Sequence, residues 1–304
     1  MRKVKEDHRE EIRTSEGAIR MGEHLFWDSL EKELRQRTAE FEGVAGLHLR
    51  DIEGGRVIDI NGNEVFPTAS SIKIHLLAAL AEMDARGDID LDERVTVGPH
   101  MAVPGSGVIG YLEQSAEISW IDVATLMIIV SDNTATNMVI DRVGLDRMRD
   151  FTSRWGLSST VVGRKMQDYE AIAADRENLS TPKEMVEMLA LISDGQTLDP
   201  DAAEICLGIL QKPKKGPMAA ALPKGTKVAN KPGGMDKVRC DAGIIYLERR
   251  PYILAVMTKY YGGDAMDQDF WVADTIRRVH TAMLNLDGAS AHGQGIARPP
   301  SATG

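Results

Sequence analysis

The chain has 304 residues, 43% of them hydrophobic and 27% charged, and carries a formal net charge of -10. This is the mix of a globular protein with material for a substantial core, and it excludes a disordered or fibrous body. It also argues against a nucleic-acid backbone or an anionic membrane surface as the main partner, because both select clustered Lys and Arg.

Residues 1–20 read as a charged arm of both signs. It lacks the apolar stretch of a secretory signal, so the chain as written is expected in the cytoplasm; a periplasmic or secreted location would need a different start. Met21 to Glu42 has Leu25, Leu30, Leu34 and Phe41 near helical spacing among charges, which predicts an amphipathic helix. "GVAGLHLRD" and "RVIDING" alternate like two strands about a tight turn at "IEGG". Ser70 to Arg86 is helical by composition and ends at Gly87, and its apolar residues cover more than one face, the mark of a central helix. Helical patterns follow over Trp120 to Val143, Leu145 to Trp155, from Ser180 with a Ser or Thr cap and Pro182 in the first turn, and from Asp199. "TKVANK", "DAGIIYLE" and "YILAVMTKYY" are strand candidates, the last two linked tightly by "ERRP", and "DQDFWVADTIRRVHTAML" is a closing helix. Residues 287–304 are small, polar and rich in Gly and Pro, so they are expected to be disordered.

Strands at both ends of the chain bracket a block of helices. This order predicts an α+β fold in three α/β/α layers, with an antiparallel sheet built from N- and C-terminal strands. One domain is expected over 21–286, its α/β part being 21–66 with 213–286 and its helical part 67–212. No apolar run nears the roughly 20 residues that span a bilayer. Two cysteines, Cys206 and Cys240, are too few for a disulfide scaffold and suit a reducing compartment, although one bridge is open to them.

The adjacent serines of "PTASSIKIHLLAAL" each have a basic partner at helical spacing: Ser70 has Lys73 three residues on, and Ser71 has His75 four residues on. Spacing alone leaves both open. A serine is a competent nucleophile only beside a base, and a lysine serves as one when burial or nearby positive charge lowers its pKa. Two further stretches bear on the choice. "SDN" at Ser131, Asp132 and Asn133 crowds polar groups after an apolar helix, and Lys231 precedes Pro232, Gly233 and Gly234, where backbone can approach a ligand.

In this order and at these intervals, Ser70-x-x-Lys73, Ser131-Asp132-Asn133 and Lys231-Pro232-Gly233 resemble the three motifs of class A serine β-lactamases and the penicillin-binding transpeptidase fold. The similarity runs from about Met21 to about Leu286. It implies that Ser70 forms an acyl-enzyme with Lys73 as its base, that Ser131 relays a proton to the leaving nitrogen, and that Asn133 holds the substrate amide. Lys231 supplies positive charge near Ser131, and the N–H groups of Ser70 and Gly234 form an oxyanion hole beside Gly233. Ser71 is then a packing or capping residue. Gly105, Gly107 and Gly110 match G-x-G-x-x-G but follow no suitable strand, so no dinucleotide site is read from them. In the family this loop borders the site, which makes Ser106 and Tyr111 candidate substrate contacts.

Two positions depart from the family. Pro232 stands where Thr or Ser is usual, removing a hydroxyl and an N–H, and Arg239 is a candidate replacement contact for a substrate carboxylate. In the Ω-loop stretch, Met166 stands two residues after Arg164, where the family carries the glutamate that activates the hydrolytic water. Asp168 and then Glu170 are the candidate replacements. The expected activity is that of a serine hydrolase opening a β-lactam or related amide through acyl-Ser70. The alternatives are a transacylase, esterase or DD-peptidase-like enzyme on the same scaffold and, further off, a binding module without turnover. No cofactor or metal is expected, because the histidines are scattered and form no Cys/His cluster. The expected partner is a small amide, ester or β-lactam, on a monomer or weak dimer.

Overall fold

The computed structural model describes residues 22–195, 198–290 and 292–296. Residues 1–20, read as a charged arm, lie outside the described residues.

Five antiparallel strands form the central sheet: β1 (Val44–Asp51), β2 (Val57–Ile60), β7 (Lys227–Met235), β8 (Val238–Tyr246) and β9 (Tyr252–Lys259), in the order β2-β1-β9-β8-β7. The N- and C-terminal strands meet at β1 and β9, where Val44 pairs with Lys259 and Asp51 with Tyr252. The period of two along β9 explains why a second layer is needed on each side. Tyr252, Leu254 and Val256 face a core shared with Trp27 and Leu34 of α1 (22–39) and Val272, Ile276 and Val279 of α10 (Ala265–Asp287). Ile253, Ala255 and Met257 face the larger core built by the helical block. The result is an α+β arrangement in three α/β/α layers.

At the centre of the helical block is α2 (Lys73–Ala85), in which every residue from Lys73 to Met83 is buried. Around it lie α3 (Trp120–Ile129), α4 (Asn133–Val143), α5 (Leu145–Arg154), α7 (Pro182–Asp194) and α8 (Pro200–Leu210). Side-chain caps set their starts: Asp132 accepts from the Ala135 N–H, Thr181 from Glu184 ahead of Pro182, and Asp199 from Asp201 ahead of Pro200. Short elements complete the fold: β3 (Phe66–Pro67) pairs with β6 (Leu179–Ser180), β4 (Arg94–Val97) with β5 (Ala116–Ser119), and α6 (Tyr169–Ala173) and α9 (Pro217–Ala221) are single-turn helices.

Two details differ from the helical reading of the sequence. Ala69–Ile72 is a 3-10 turn, so α2 begins only at Lys73. The pattern over Trp120 to Val143 is two helices, broken where Ser131 takes a φ of 56°. Beyond α10, Ala289 bridges to Gly295. No described helix is long and apolar enough to cross a membrane.

Candidate active site

The 3-10 turn separates the two serines. Ser71 is fully buried and its hydroxyl donates to the Thr68 carbonyl at 2.7 Å. Ser70 lines both cavities that meet at this point, one of about 860 Å3 and one of about 210 Å3. Ala69, just before it, is held at a φ of 46°, a region that a residue with a Cβ occupies at a cost. The turn is fixed from outside, because the Asn178 carbonyl accepts from both the N–H and the hydroxyl of Thr68.

Lys73 is fully buried, and its Nζ lies 2.8 Å from the Ser131 carbonyl, 3.0 Å from Ser131 Oγ and 3.2 Å from Asn133 Oδ1. Burial lowers its pKa well below the ordinary lysine value; Lys231 adds to the shift and Asp132 opposes it. From the opposite side, Lys231 Nζ reaches Ser131 Oγ at 3.2 Å and the Pro232 carbonyl at 2.9 Å. Burial brings Lys231 down to about 7, against the pull of Asp241 and with the help of Lys214. Ser131 Oγ therefore joins two lysines that come from different ends of the chain. Lys73 Nζ thus donates to three acceptors, the Ser131 carbonyl, Ser131 Oγ and Asn133 Oδ1.

Asp132 has a structural task. Its carboxylate accepts from Val108 N at 2.6 Å, Ile109 N at 2.9 Å and Ala135 N at 2.9 Å, which pins the 104–111 loop to the start of α4. Gly107 permits this approach, since a Cβ there would lie 2.4 Å from the Asp132 carboxylate. Asn133 Nδ2 donates to the Pro104 carbonyl, and its backbone N–H donates to the Ser106 carbonyl. Ser106 lines both cavities, whereas Tyr111 is 81% exposed and lines neither.

Strand β7 is the edge of the sheet and runs past the serine turn. A Cβ on Gly233 would lie 2.7 Å from Ser71 N and 2.8 Å from Ser70 N, so only glycine fits there. Gly234 lines both cavities beside Ser70. An edge strand also explains how Pro232 is accommodated, because β7 pairs with β8 on one side only. Arg239 lines the larger cavity, but its guanidinium is committed to Asp269 at 2.8 Å and to the carbonyls of Met235 and Val238.

The Ω-loop stretch closes through an Arg164–Glu177 ion pair at 2.7 Å, and Asn178 Oδ1 accepts from the Gly163 and Arg164 N–H groups. Met166 and Gln167 line the smaller cavity with Ser70. Asp168 instead caps α6 by accepting from Ala171 N at 2.9 Å, and Glu170 is exposed in its first turn. The structure thus brings neither acid to Ser70. Two residues passed over in the sequence matter here. Asn137 clasps Met166 from both sides, accepting from its N–H at 2.7 Å and donating to its carbonyl at 3.1 Å; its position one turn beyond Asn133 was the available signal. Gln167, at a φ of 58°, had none. Among the described residues, no group of three His, Cys, Asp or Glu side chains is placed to hold a metal ion.

Residues 29–279 match the model of the beta-lactamase enzyme family. Beta-lactamase SME-1 of Serratia marcescens is 25% identical over 258 residues, spanning 82% of this chain and 87% of that protein. Beta-lactamase ROB-1 of Haemophilus influenzae is 26% identical over 259 residues, spanning 81% and 82%. The solved structure of PBP-A superimposes with a TM-score of 0.76 at 29% identity, over 84% of this chain and 96% of that one. A PBP-A point mutant has been solved as an acyl-enzyme complex with penicillin G. A β-lactamase from Sphaerobacter thermophilus gives a TM-score of 0.75 at 26% identity, over 86% and 98% of the two chains.

Proposed function

Because the chain belongs to the beta-lactamase enzyme family, of class A serine β-lactamase and penicillin-binding type, we propose that it is an acyl-serine enzyme acting on a β-lactam or related amide through Ser70. The observation that carries this reading is the Lys73–Ser131–Lys231 array beside an accessible Ser70. Lys73, whose pKa burial lowers well below the ordinary lysine value, takes the Ser70 proton as Oγ attacks the carbonyl carbon. Ser131 passes a proton to the leaving nitrogen as the C–N bond breaks, and Lys231 balances the charge of the anionic end of the substrate. The N–H groups of Ser70 and Gly234 receive the developing oxyanion, each such donor being worth roughly 3 to 4 kcal/mol. Asn133 positions the amide.

Release of the acyl group is the distinctive step. With Met166 and Gln167 at the cavity and Asp168 engaged as a cap, no loop carboxylate stands by to activate water. This favours a long-lived acyl-enzyme that water clears slowly and that an amine acceptor clears faster, which is the DD-peptidase-like or transacylase form of the chemistry. Intact-mass analysis after exposure to a penicillin tests it: a persistent adduct absent from Ser70→Ala, with release accelerated by added amines, is expected. Rapid multiple turnover without amine dependence would refute the slow-release step, and an adduct retained in Ser70→Ala would refute the nucleophile.

A further inference from the structure

The two cavities that meet at Ser70 differ sharply in charge. The smaller has Arg164 as its one ionic lining residue, and that is paired with Glu177. The larger is lined by Lys214, Lys215, Lys231, Lys237 and Arg239 against only Asp236 and Asp269. Arg239 and Asp269 pair at 2.8 Å and cancel, which leaves four lysines against one acid. A chain with a net charge of -10 has therefore gathered positive charge around one cavity, where low-dielectric walls focus it on whatever enters.

The lysines are not equivalent. Lys231 is engaged with Ser131 and Pro232, and Lys214 donates to the Leu210 and Lys212 carbonyls at 2.6 and 2.7 Å and approaches Asn230 Oδ1 at 3.4 Å. Lys215, on the α8–α9 loop, and Lys237, in the β7–β8 turn, are exposed and have no ion-pair partner among the described residues. Lys237 also has a φ of 58°, a left-handed conformation that glycine or asparagine takes at lower cost. A lysine held there places a cation at the cavity against its backbone preference, and strain of this kind marks functional positions.

We propose that the larger cavity holds a subsite for a second anionic group, so that the preferred acyl donor has a leaving group bearing two carboxylates. Lys231 meets one, and Lys215 or Lys237 the other. The acyl portion lies in the smaller cavity, among Met166, Gln167 and Ile172, and is uncharged. Burial keeps Lys214 near 8 and Lys231 near 7 even with Asp241 close by, the condition of a cationic site that gains from an incoming anion. The inference rests on the acyl-Ser70 reading and deepens it.

The test compares two thioester donors with the same uncharged acyl group, one with thioglycolate and one with mercaptosuccinate as the leaving thiol. Acylation forms the Ser70 Oγ–carbon bond and breaks the carbon–sulfur bond, and the serine proton departs with the thiol, which a disulfide dye detects. The dicarboxylate donor is expected to acylate about five- to tenfold faster. The advantage should shrink in about 1 M salt, where the Debye length is about 3 Å. Lys215→Ala/Lys237→Ala should bring the two donors within about twofold of each other. A second arm measures binding of the matching amide analogues to Ser70→Ala by calorimetry, which reads the subsite without chemistry: tighter binding of the dicarboxylate that the double variant abolishes supports the proposal even if no donor acylates Ser70. Equal binding of the two analogues overturns the subsite, and absence of any Ser70 adduct with preserved dicarboxylate preference overturns only the acyl-enzyme reading.

Discussion

Replacing Lys231 with arginine changes the pH profile of acylation in a calculable way. The working form of the site has Lys73 neutral and Lys231 charged. Burial and Lys231 hold Lys73 well below the usual lysine range, so the acid limb falls as pH drops through the Lys73 pKa and protonates the base. Lys231 lies at about 7, chiefly through burial, so the alkaline limb falls as pH rises through that value and removes the cation. A group of that pKa is half charged at 7 and about 1% charged at 9, which predicts a loss of about 50-fold in kcat/KM across the interval. A guanidinium stays protonated throughout. Lys231→Arg should therefore lower the plateau but flatten the alkaline limb to within about threefold. Stopped-flow acylation with a chromogenic cephalosporin from pH 5 to 10 measures both profiles. A wild-type rate that is flat to pH 9, or an alkaline limb that stays near 7 in Lys231→Arg, would refute the assignment of charge to Lys231.

Met166→Glu, clasped by Asn137, sets a carboxylate at the smaller cavity and should speed release of the acyl group at least about tenfold with acylation little changed; an unchanged release rate in a mass time course would count against the missing base as the cause. Asp132→Ala strips the acceptor from two buried N–H groups and one half-buried one and should cost about 2 to 4 kcal/mol in denaturant unfolding; a loss under about 1 kcal/mol would contradict its role in pinning the 104–111 loop. His75 is fully buried, neither ring nitrogen makes a well-formed hydrogen bond among the described residues, and burial, against a weak pull from the Ile72 backbone, brings it from 6.5 to about 4. Because the unfolded chain binds the proton first, stability is full above about 6.5 and falls by about 3 kcal/mol as pH drops to 4. His75→Leu should remove that part of the pH dependence, and an unaltered slope of stability against pH would disprove it.

The strand β9 was legible as an unbroken apolar run, Tyr252 to Met257, because each of its faces meets a different helical layer. Helix starts at Thr181 and Asp199 were legible through their caps, whereas the start at Asp132 was hidden in one helical pattern that ran across Ser131. The pairings β3–β6 and β4–β5 were not legible, since strands of two and four residues leave no periodic trace. Motif spacing led to Lys73, Ser131 and Lys231, but not to their meeting at one hydroxyl, which depends on contacts 58 and 100 residues apart in the chain. The choice between Ser70 and Ser71 turned on a 3-10 turn that helical spacing does not encode, because three residues per turn send Ser71 inward to Thr68. Asp168 and Glu170 were reasonable candidates by proximity to Met166. A short helix beginning at Tyr169 recruits Asp168 as its cap instead.

The central claim is tested most directly by intact mass over time for wild type and Ser70→Ala mixed with a chromogenic cephalosporin, with ring opening followed by absorbance. The account predicts one stoichiometric adduct on the wild type that outlasts the burst of absorbance, and none on Ser70→Ala. An adduct on the Ser70→Ala protein, or ring opening by wild type with no adduct at any time, would contradict it.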